Sequence, residues 1–248
     1  MSRNFDLMRE MEREQSYSYN QTVEPVFPAP GEDRNREAHR QATSDSTLRL
    51  VQQLFLQRTQ EAPRMVVFAG INHGDGCSEI AASVAECLAG MTPRAVCLVE
   101  ANFRSPALPA MLGTRNYRGL TDALLEEGPV KSFIKPVFNE SLWLLSSGPV
   151  TADSSNLLTS QRMKRLSAEM RKEFDFVIVD APPLTRYADA IALGHLSDGI
   201  VLVVEANSTR REAALIAVEN LRSANIQILG AVLNKRTFPI PEKIYSRL

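Results

Sequence analysis

The sequence is poor in lysine and cysteine and has no long apolar run. Only 6 of its 28 basic residues are lysines, and none precedes Lys131. Cys77, Cys87 and Cys97 are odd in number and ten residues apart, which fits neither a disulfide framework nor the close pairs of a zinc site. No apolar run approaches the roughly 18 residues that span a bilayer, and the first residues lack the apolar stretch of a signal peptide. We therefore expect reduced thiols and a cytoplasmic protein.

The near balance of basic and acidic residues gives no support for a function that relies on a strongly charged surface. Basic and acidic residues number 28 and 29, giving a net charge of -1, so no overall positive field draws the protein to nucleic acid or to an anionic membrane. The 248 residues, 44% of them hydrophobic, are enough for one globular domain with a sizeable core.

The chain divides into a tail and a domain. Residues 1–45 are polar and interrupted by prolines, so we predict a flexible tail that cannot fold alone. A short amphipathic helix near its start would carry the apolar residues Phe5, Leu7, Met8 and Met11, and would serve as a docking element for a partner. A disordered tail that only aids solubility is the alternative. Residues 46–248 are predicted to form the domain, opening with a helix near Thr47.

From Met65 onward, short apolar runs alternate with helical patterns. The predicted strands are 65–69, 95–99, 142–146, 176–180, 199–206 and 228–234. The predicted helices are 78–90, 119–127, 160–173, 187–195 and 209–224. Strands that are apolar on consecutive residues are covered on both faces, as in a parallel sheet between helices. The pattern therefore predicts a single-domain, doubly wound α/β fold with a mostly parallel sheet.

A glycine loop follows the first predicted strand. It reads AGINHGDGCSEI and contains Gly70, Gly74 and Gly76 before a helix that begins at Ser78. A strand, a glycine loop and a helix N-terminus together present backbone N–H groups to phosphate. An ordinary glycine turn is the alternative interpretation of this loop alone.

From about Ser46 to the end, the sequence resembles the bacterial tyrosine autokinases of polysaccharide export, a branch of the deviant Walker P-loop ATPases. The resemblance rests on the glycine loop and on seven further segments in the same order: VCLVEANFRSPAL, RGLTDALL, LWLLSSGP, FDFVIVDAPP, DGIVLVV, TRREA and LGAVLNKR. It implies a P-loop NTPase-like fold and a site for ATP or ADP with Mg²⁺. The nucleotide-binding positions that it implies are Gly74, Asp75, Gly76, Cys77, Ser78, Arg104 and Asn234.

The sequence departs from that family at the residues that carry chemistry. The family's loop ends Gly-Lys-Ser/Thr, whereas Cys77 stands at the lysine position and Glu79 follows Ser78. We therefore expect a phosphate loop that has lost its cation, with Arg104 as a candidate to compensate for it.

The second loop of the family reads Asp-x-Asp-x-Arg, with carboxylates for magnesium and for proton abstraction. Here the corresponding residues are Glu100, Asn102 and Arg104, and Asn102 cannot act as a base. The resemblance implies catalytic roles for Asp180 and Glu100, and magnesium binding by Ser78 and Asp180. A strand-end aspartate that only caps a turn is the alternative for Asp180.

Two features outside the predicted pocket also differ. The family's Glu-x-x-Arg-x-x-Arg oligomerisation motif aligns with Ser46, Arg49 and Gln52, so that only the first arginine is kept and homo-oligomer formation is in question. The family's C-terminal tyrosine cluster is reduced to Tyr245, while Tyr17 and Tyr19 in the tail are further candidate phosphoacceptors.

Three functional hypotheses follow from this resemblance. The preferred one is a kinase-derived regulatory subunit with weak or lost kinase activity, which modulates exopolysaccharide or capsule biosynthesis and export. Its partner would be a membrane-bound polysaccharide chain-length or export protein, which would recruit it to the inner face of the cell membrane. The alternatives are an active ATP-dependent tyrosine autokinase and a positioning ATPase similar to ParA and MinD.

Overall fold

The structure, a computed structural model, describes residues 45–56, 62–138, 141–150 and 154–236. The predicted tail lies outside these ranges apart from Asp45, as does Tyr245, so the division at residue 45 and the roles of the tail stay predictions.

A seven-stranded sheet forms the centre of the described residues, and its strand order is β3-β4-β2-β5-β1-β6-β7. The strands are β1 Met65–Gly70, β2 Val96–Glu100, β3 Lys135–Phe138, β4 Leu142–Leu145, β5 Phe176–Ala181, β6 Gly199–Glu205 and β7 Ile228–Asn234. All neighbouring pairs are parallel except β3 and β4, which are antiparallel. The predicted doubly wound, mostly parallel α/β class is confirmed.

Helices cover both faces of the sheet, as the apolar strands predict. They are α1 (45–55), α2 Cys77–Met91, α3 Leu108–Met111, α4 Leu120–Leu125, α5 Ser154–Leu157, α6 Gln161–Glu173, α7 Asp189–Gly194 and α8 Arg211–Ser223, with a 3₁₀ turn at Val130–Ser132. One apolar layer packs α1 and α2 on the sheet, with Phe55 edge-on to Phe176 at 5.5 Å between ring centroids. The other layer packs α4, α6, α7 and α8 on the opposite face.

The prediction missed β3 and three short helical segments. β3 has only four residues and contains Lys135 and Pro136, which suit an edge strand and mask the apolar pattern of a strand. The short helices α3 and α5 and the 3₁₀ turn are too brief to show a period in the sequence.

None of the helices described here is both long enough and apolar enough to span a membrane.

Candidate functional site: a glycine loop at the carboxyl edge of the sheet

The glycine loop connects β1 to α2 at the carboxyl edge of the parallel strands, where ligands bind in folds of this kind. Gly74 and Gly76 have φ of 93° and 83°, in the left-handed region that favours glycine. A Cβ at Gly76 would come within 2.2 Å of Asn234 Nδ2. Position 76, two residues before Ser78, therefore has no room for a side chain. Gly76 is also the N-cap residue of α2.

Hydrogen bonds fix the loop through Asp75, whose residue is only 2% exposed. Its carboxylate accepts from the Asn72 N–H at 2.8 Å and from the Thr209 hydroxyl at 3.3 Å. Its carbonyl oxygen accepts from Asn234 Nδ2 at 2.9 Å. The loop is thus held from the end of β7 and from the segment just before α8, both far away in sequence.

Asn234 and Thr209 were both within segments that carried the resemblance. The sequence implied a nucleotide-binding role for Asn234, which stays a prediction, and gave no role to Thr209. The structure shows that both side chains position the loop itself.

A lysine contacts the loop, although the loop contains none. Lys235 directly follows β7, and its Nζ donates to the Gly74 carbonyl oxygen at 2.6 Å. The same nitrogen lies 3.4 Å from Glu205 Oε2. The loop itself contains no lysine or arginine, and Lys235 is a cation beside it that the sequence prediction did not include. Its adjacency in the sequence to Asn234 is the signal that could have revealed it.

Cys77 and Ser78 begin α2 beside the end of β5. The Ser78 hydroxyl donates to Asp180 Oδ2 at 2.5 Å, so the predicted pair is in contact. Burial, and then the nearby charge of Asp180, raise the pKa of the Cys77 thiol well above its usual value. The residue at the family's lysine position is therefore an uncharged thiol.

Glu100 and Asp180 stand opposite each other at the ends of β2 and β5, and both are fully buried. Burial, followed by the charge of Asp180, raises the pKa of Glu100 to about 8. Burial also raises the pKa of Asp180 to about 6, against the lowering effect of its hydrogen bond with Ser78. The pair therefore retains a proton more readily than two exposed carboxylates would.

Glu100 is also tied to the backbone. Its Oε2 accepts from the N–H groups of Ala107 and Leu108, each at 2.8 Å, where α3 begins. Asn102, at the family's second carboxylate position, accepts from the Ser105 N–H at 3.3 Å. Both side chains thus shape the loop that follows β2.

Arg104 does not contact the glycine loop. Its guanidinium lies 4.7 Å from the centre of the Tyr187 ring, and its Nε is 4.0 Å from Asp189 Oδ2. In this arrangement Arg104 does not occupy the position of the missing lysine.

A cavity of about 250 Å³ lies against the glycine loop. Gly70 and residues 72–79 line it on the side of the glycine loop, and Asn102, Ser105, Ala107 and Met111 line it from the segment after β2. Lys235 lines it as well, and His73 is an exposed member of the lining.

The predicted magnesium ligands Ser78 and Asp180 lie next to each other at the start of α2 and the end of β5. Asp180 Oδ1 is buried and has no hydrogen bond of normal geometry within the described ranges, and Ser78 Oγ lies next to the same carboxylate. Hydroxyl and carboxylate oxygens are ligands that Mg²⁺ accepts. These two residues therefore fit the ion. In the same ranges there is no cluster of three or more His, Cys, Asp or Glu side chains suited to a metal.

The predicted oligomerisation positions lie on α1, where Ser46, Arg49 and Gln52 are all exposed. Whether they mediate assembly stays a prediction.

A strand-end glycine loop that opens a helix, beside a buried aspartate on the neighbouring strand, defines the class of P-loop NTPases. Residues 62–245 match the ParA family, described as NUBPL iron-transfer P-loop NTPase. The tyrosine-protein kinase YwqD of Bacillus subtilis is 35% identical over 161 residues, which cover 65% of this chain and 68% of YwqD. The chain therefore belongs to the ParA-type P-loop NTPases, in the branch of the bacterial tyrosine-protein kinases.

Other relatives extend the comparison. The succinoglycan biosynthesis transport protein ExoP of Rhizobium meliloti is 32% identical over 175 residues, which cover 69% of this chain but only 22% of ExoP. The kinase domain of the Escherichia coli tyrosine kinase ETK has a TM-score of 0.67 at 22% identity, covering 75% of this chain and 72% of that one, and supports the fold. The resemblance found in the sequence is confirmed: relatives of this chain are named tyrosine-protein kinases, and one is named a transport protein of succinoglycan biosynthesis.

Proposed function

We propose that this protein is a kinase-derived regulatory subunit of polysaccharide biosynthesis or export. In this proposal it binds ADP or ATP with Mg²⁺ weakly and transfers phosphate to tyrosine slowly or not at all. It would act on a membrane-bound polysaccharide chain-length or export protein.

The observation that carries the proposal is the thiol of Cys77 at the lysine position. Phosphoryl transfer relies on positive charge that stabilises the transferring group, and losing such a cation costs on the order of 10³ to 10⁵ in rate. Cys77 supplies no such charge, because burial and Asp180 favour its neutral form.

The second loop supports the same conclusion. Glu100 already accepts two backbone hydrogen bonds, and Asn102 has no basic oxygen with which to remove a tyrosine proton. The side chains at these positions now order the backbone around α3, which is a structural role.

The capacity to bind phosphate is better preserved. The loop keeps its left-handed glycines, and Ser78 and Asp180 keep the contact that suits a magnesium ion. A bound Mg²⁺ would neutralise charge on the phosphate oxygens. Binding without efficient transfer is the combination that these residues favour.

The partner is proposed from the relatives. ExoP is named a transport protein of succinoglycan biosynthesis, and the matched region is under a quarter of its length. We propose that this chain acts beside a membrane protein of similar purpose, with its N-terminal segment as the docking element.

The test compares three purified proteins with radiolabelled MgATP. They are the natural chain, the variant Cys77→Lys/Glu79→Thr/Asn102→Asp, and the variant Asp180→Asn. We expect no phosphotyrosine above the Asp180→Asn background in the natural chain, and a measurable rate in the triple variant. Robust labelling of the natural chain that Asp180→Asn abolishes would instead identify an active tyrosine autokinase.

A further inference from the structure

Lys235 emerges beside the glycine loop because of the sheet topology. β6 pairs with β1 on one side and with β7 on the other, and Asn234 lies opposite Glu205 at the end of that pairing. The carboxyl ends of parallel strands meet at one edge, so the residue after β7 reaches the region of the loop after β1. Here Lys235 Nζ donates to the Gly74 carbonyl oxygen at 2.6 Å.

The backbone at Lys235 is unusual. Its φ is 53°, and the other non-glycine residues with positive φ in the described ranges are Asn207 and Asn225. Asparagine tolerates this conformation, whereas lysine adopts it at a cost that the surroundings must hold. The turn directs Lys235 to the loop, where its Nζ also lies 3.4 Å from Glu205 Oε2.

Charge at the cavity adds a second, independent observation. Among the described residues that line it, Asp75 and Glu79 are acidic, and Lys235 is the one lysine or arginine. An ammonium has three N–H donors; the hydrogen bond to Gly74 uses one, and Glu205 forms an ion pair with the same nitrogen at 3.4 Å. The side chain is 45% exposed, so a third donor is accessible to a ligand in the cavity.

We infer that Lys235 is a cation that holds the diphosphate of a bound nucleotide, whereas the charge that a lysine at residue 77 would give the γ-phosphate stays absent. This inference rests on the proposed nucleotide binding. Without ligand, the ammonium of Lys235 is paired with Glu205. This ion pair is weak because it is partly exposed, so a multiply charged diphosphate is the stronger partner and displaces Glu205. Lys235 thus supplies charge to the diphosphate, and Glu205 restrains the ammonium when no ligand is bound.

The experiment measures affinity for MgADP and for magnesium pyrophosphate by calorimetry. Lys235→Gln removes the charge but keeps an amide that can donate to Gly74, and we expect it to weaken both affinities about tenfold. Lys235→Arg should keep affinity within about threefold. Glu205→Gln should strengthen binding severalfold, because it releases the ammonium. Lys164→Gln, at an exposed lysine of α6, is the matched control and should change neither affinity.

Each pattern of results decides the question. If the natural chain binds MgADP, and Lys235→Gln or Glu205→Gln leaves its affinity unchanged, the inference is overturned while the proposed nucleotide binding stands. If pyrophosphate binds in a Lys235-dependent way but ADP binds no more tightly than pyrophosphate, the contact of Lys235 with a diphosphate stands and the proposed nucleotide recognition is overturned. If neither ligand binds the natural chain, both are overturned. Melting temperatures show whether each variant is folded. If Lys235→Gln is unfolded, the affinity of Glu205→Gln provides the test.

Discussion

Restoring the family's loop residues should restore affinity for ATP. The double variant Cys77→Lys/Glu79→Thr places an ammonium at the start of α2 and removes a carboxylate from its first turn. The adjacent cavity of about 250 Å³ leaves room for the longer side chain. The buried carboxyls Glu100 and Asp180 are near residue 77. A positive charge beside them lowers their pKa values, and their negative charge offsets the free-energy cost of burying the ammonium.

The expected gain follows from one charge-assisted hydrogen bond. A hydrogen bond to a charged group contributes about 1.5–3 kcal/mol. Since about 1.4 kcal/mol is a factor of ten, ATP should bind about 10 to 100 times more tightly to the double variant. Removing Glu79 adds to this gain, because a carboxylate near the loop repels phosphate.

Calorimetry with MgATP measures the change, and Cys87→Lys is the matched control. Cys87 lies on the same helix, ten residues further on and away from the loop, so its replacement adds the same charge to α2 without reaching a phosphate. We expect no gain in affinity from this control. A folded double variant that binds ATP no better than the natural chain would refute the reasoning, because the loop would then lack the phosphate-binding conformation.

Three other predictions concern pH, the loop backbone and the tail. Glu100 has a native pKa of about 8 against an ordinary value of 4.5, so between these pH values the native state keeps a proton that the unfolded chain loses. In metal-free buffer, the free energy of unfolding should therefore fall as pH rises, by at most about 1.4 kcal/mol per pH unit. Denaturant titrations of Glu100→Gln should show no such slope above pH about 6. Gly76→Ala should lower the melting temperature and abolish nucleotide binding, because the backbone there has φ 83° and the new Cβ would collide with Asn234. The control Gly90→Ala places a Cβ where no atom lies within 4 Å, and it should leave both properties unchanged. Equal behaviour of the two variants would contradict the assigned geometry. Deleting residues 1–15 should leave the melting temperature within about 2 °C and abolish co-purification with the membrane polysaccharide complex, and unaltered co-purification would reject the docking role.

The fold was accessible from the sequence because its strands are buried on both faces. Runs such as 176–179 and 200–204 are apolar without interruption, and each is followed by a helix that can cross back over the sheet. β3 was not accessible, because an edge strand of four residues with Lys135 and Pro136 has neither the length nor the pattern of a buried one.

The site was accessible only in part. The contact between Ser78 and Asp180 agrees with the sequence prediction, because a loop after β1 and the end of β5 share one edge of the sheet. Lys235 and Thr209 were missed, because their roles depend on which strands are neighbours and on a turn at φ 53°. The guanidinium of Arg104 lies against the Tyr187 ring, and its role in nucleotide binding stays a prediction.

Equilibrium binding of labelled ATP, with and without Mg²⁺ and in competition with ADP, tests the account most directly. The loop and the Ser78–Asp180 pair predict weak, saturable binding of ATP that depends on magnesium. Unlabelled ADP should displace the labelled ATP at nearly the same concentration as unlabelled ATP does, because Cys77 offers no charge to the γ-phosphate. Absence of saturable binding, or a strong preference for ATP over ADP, would contradict it.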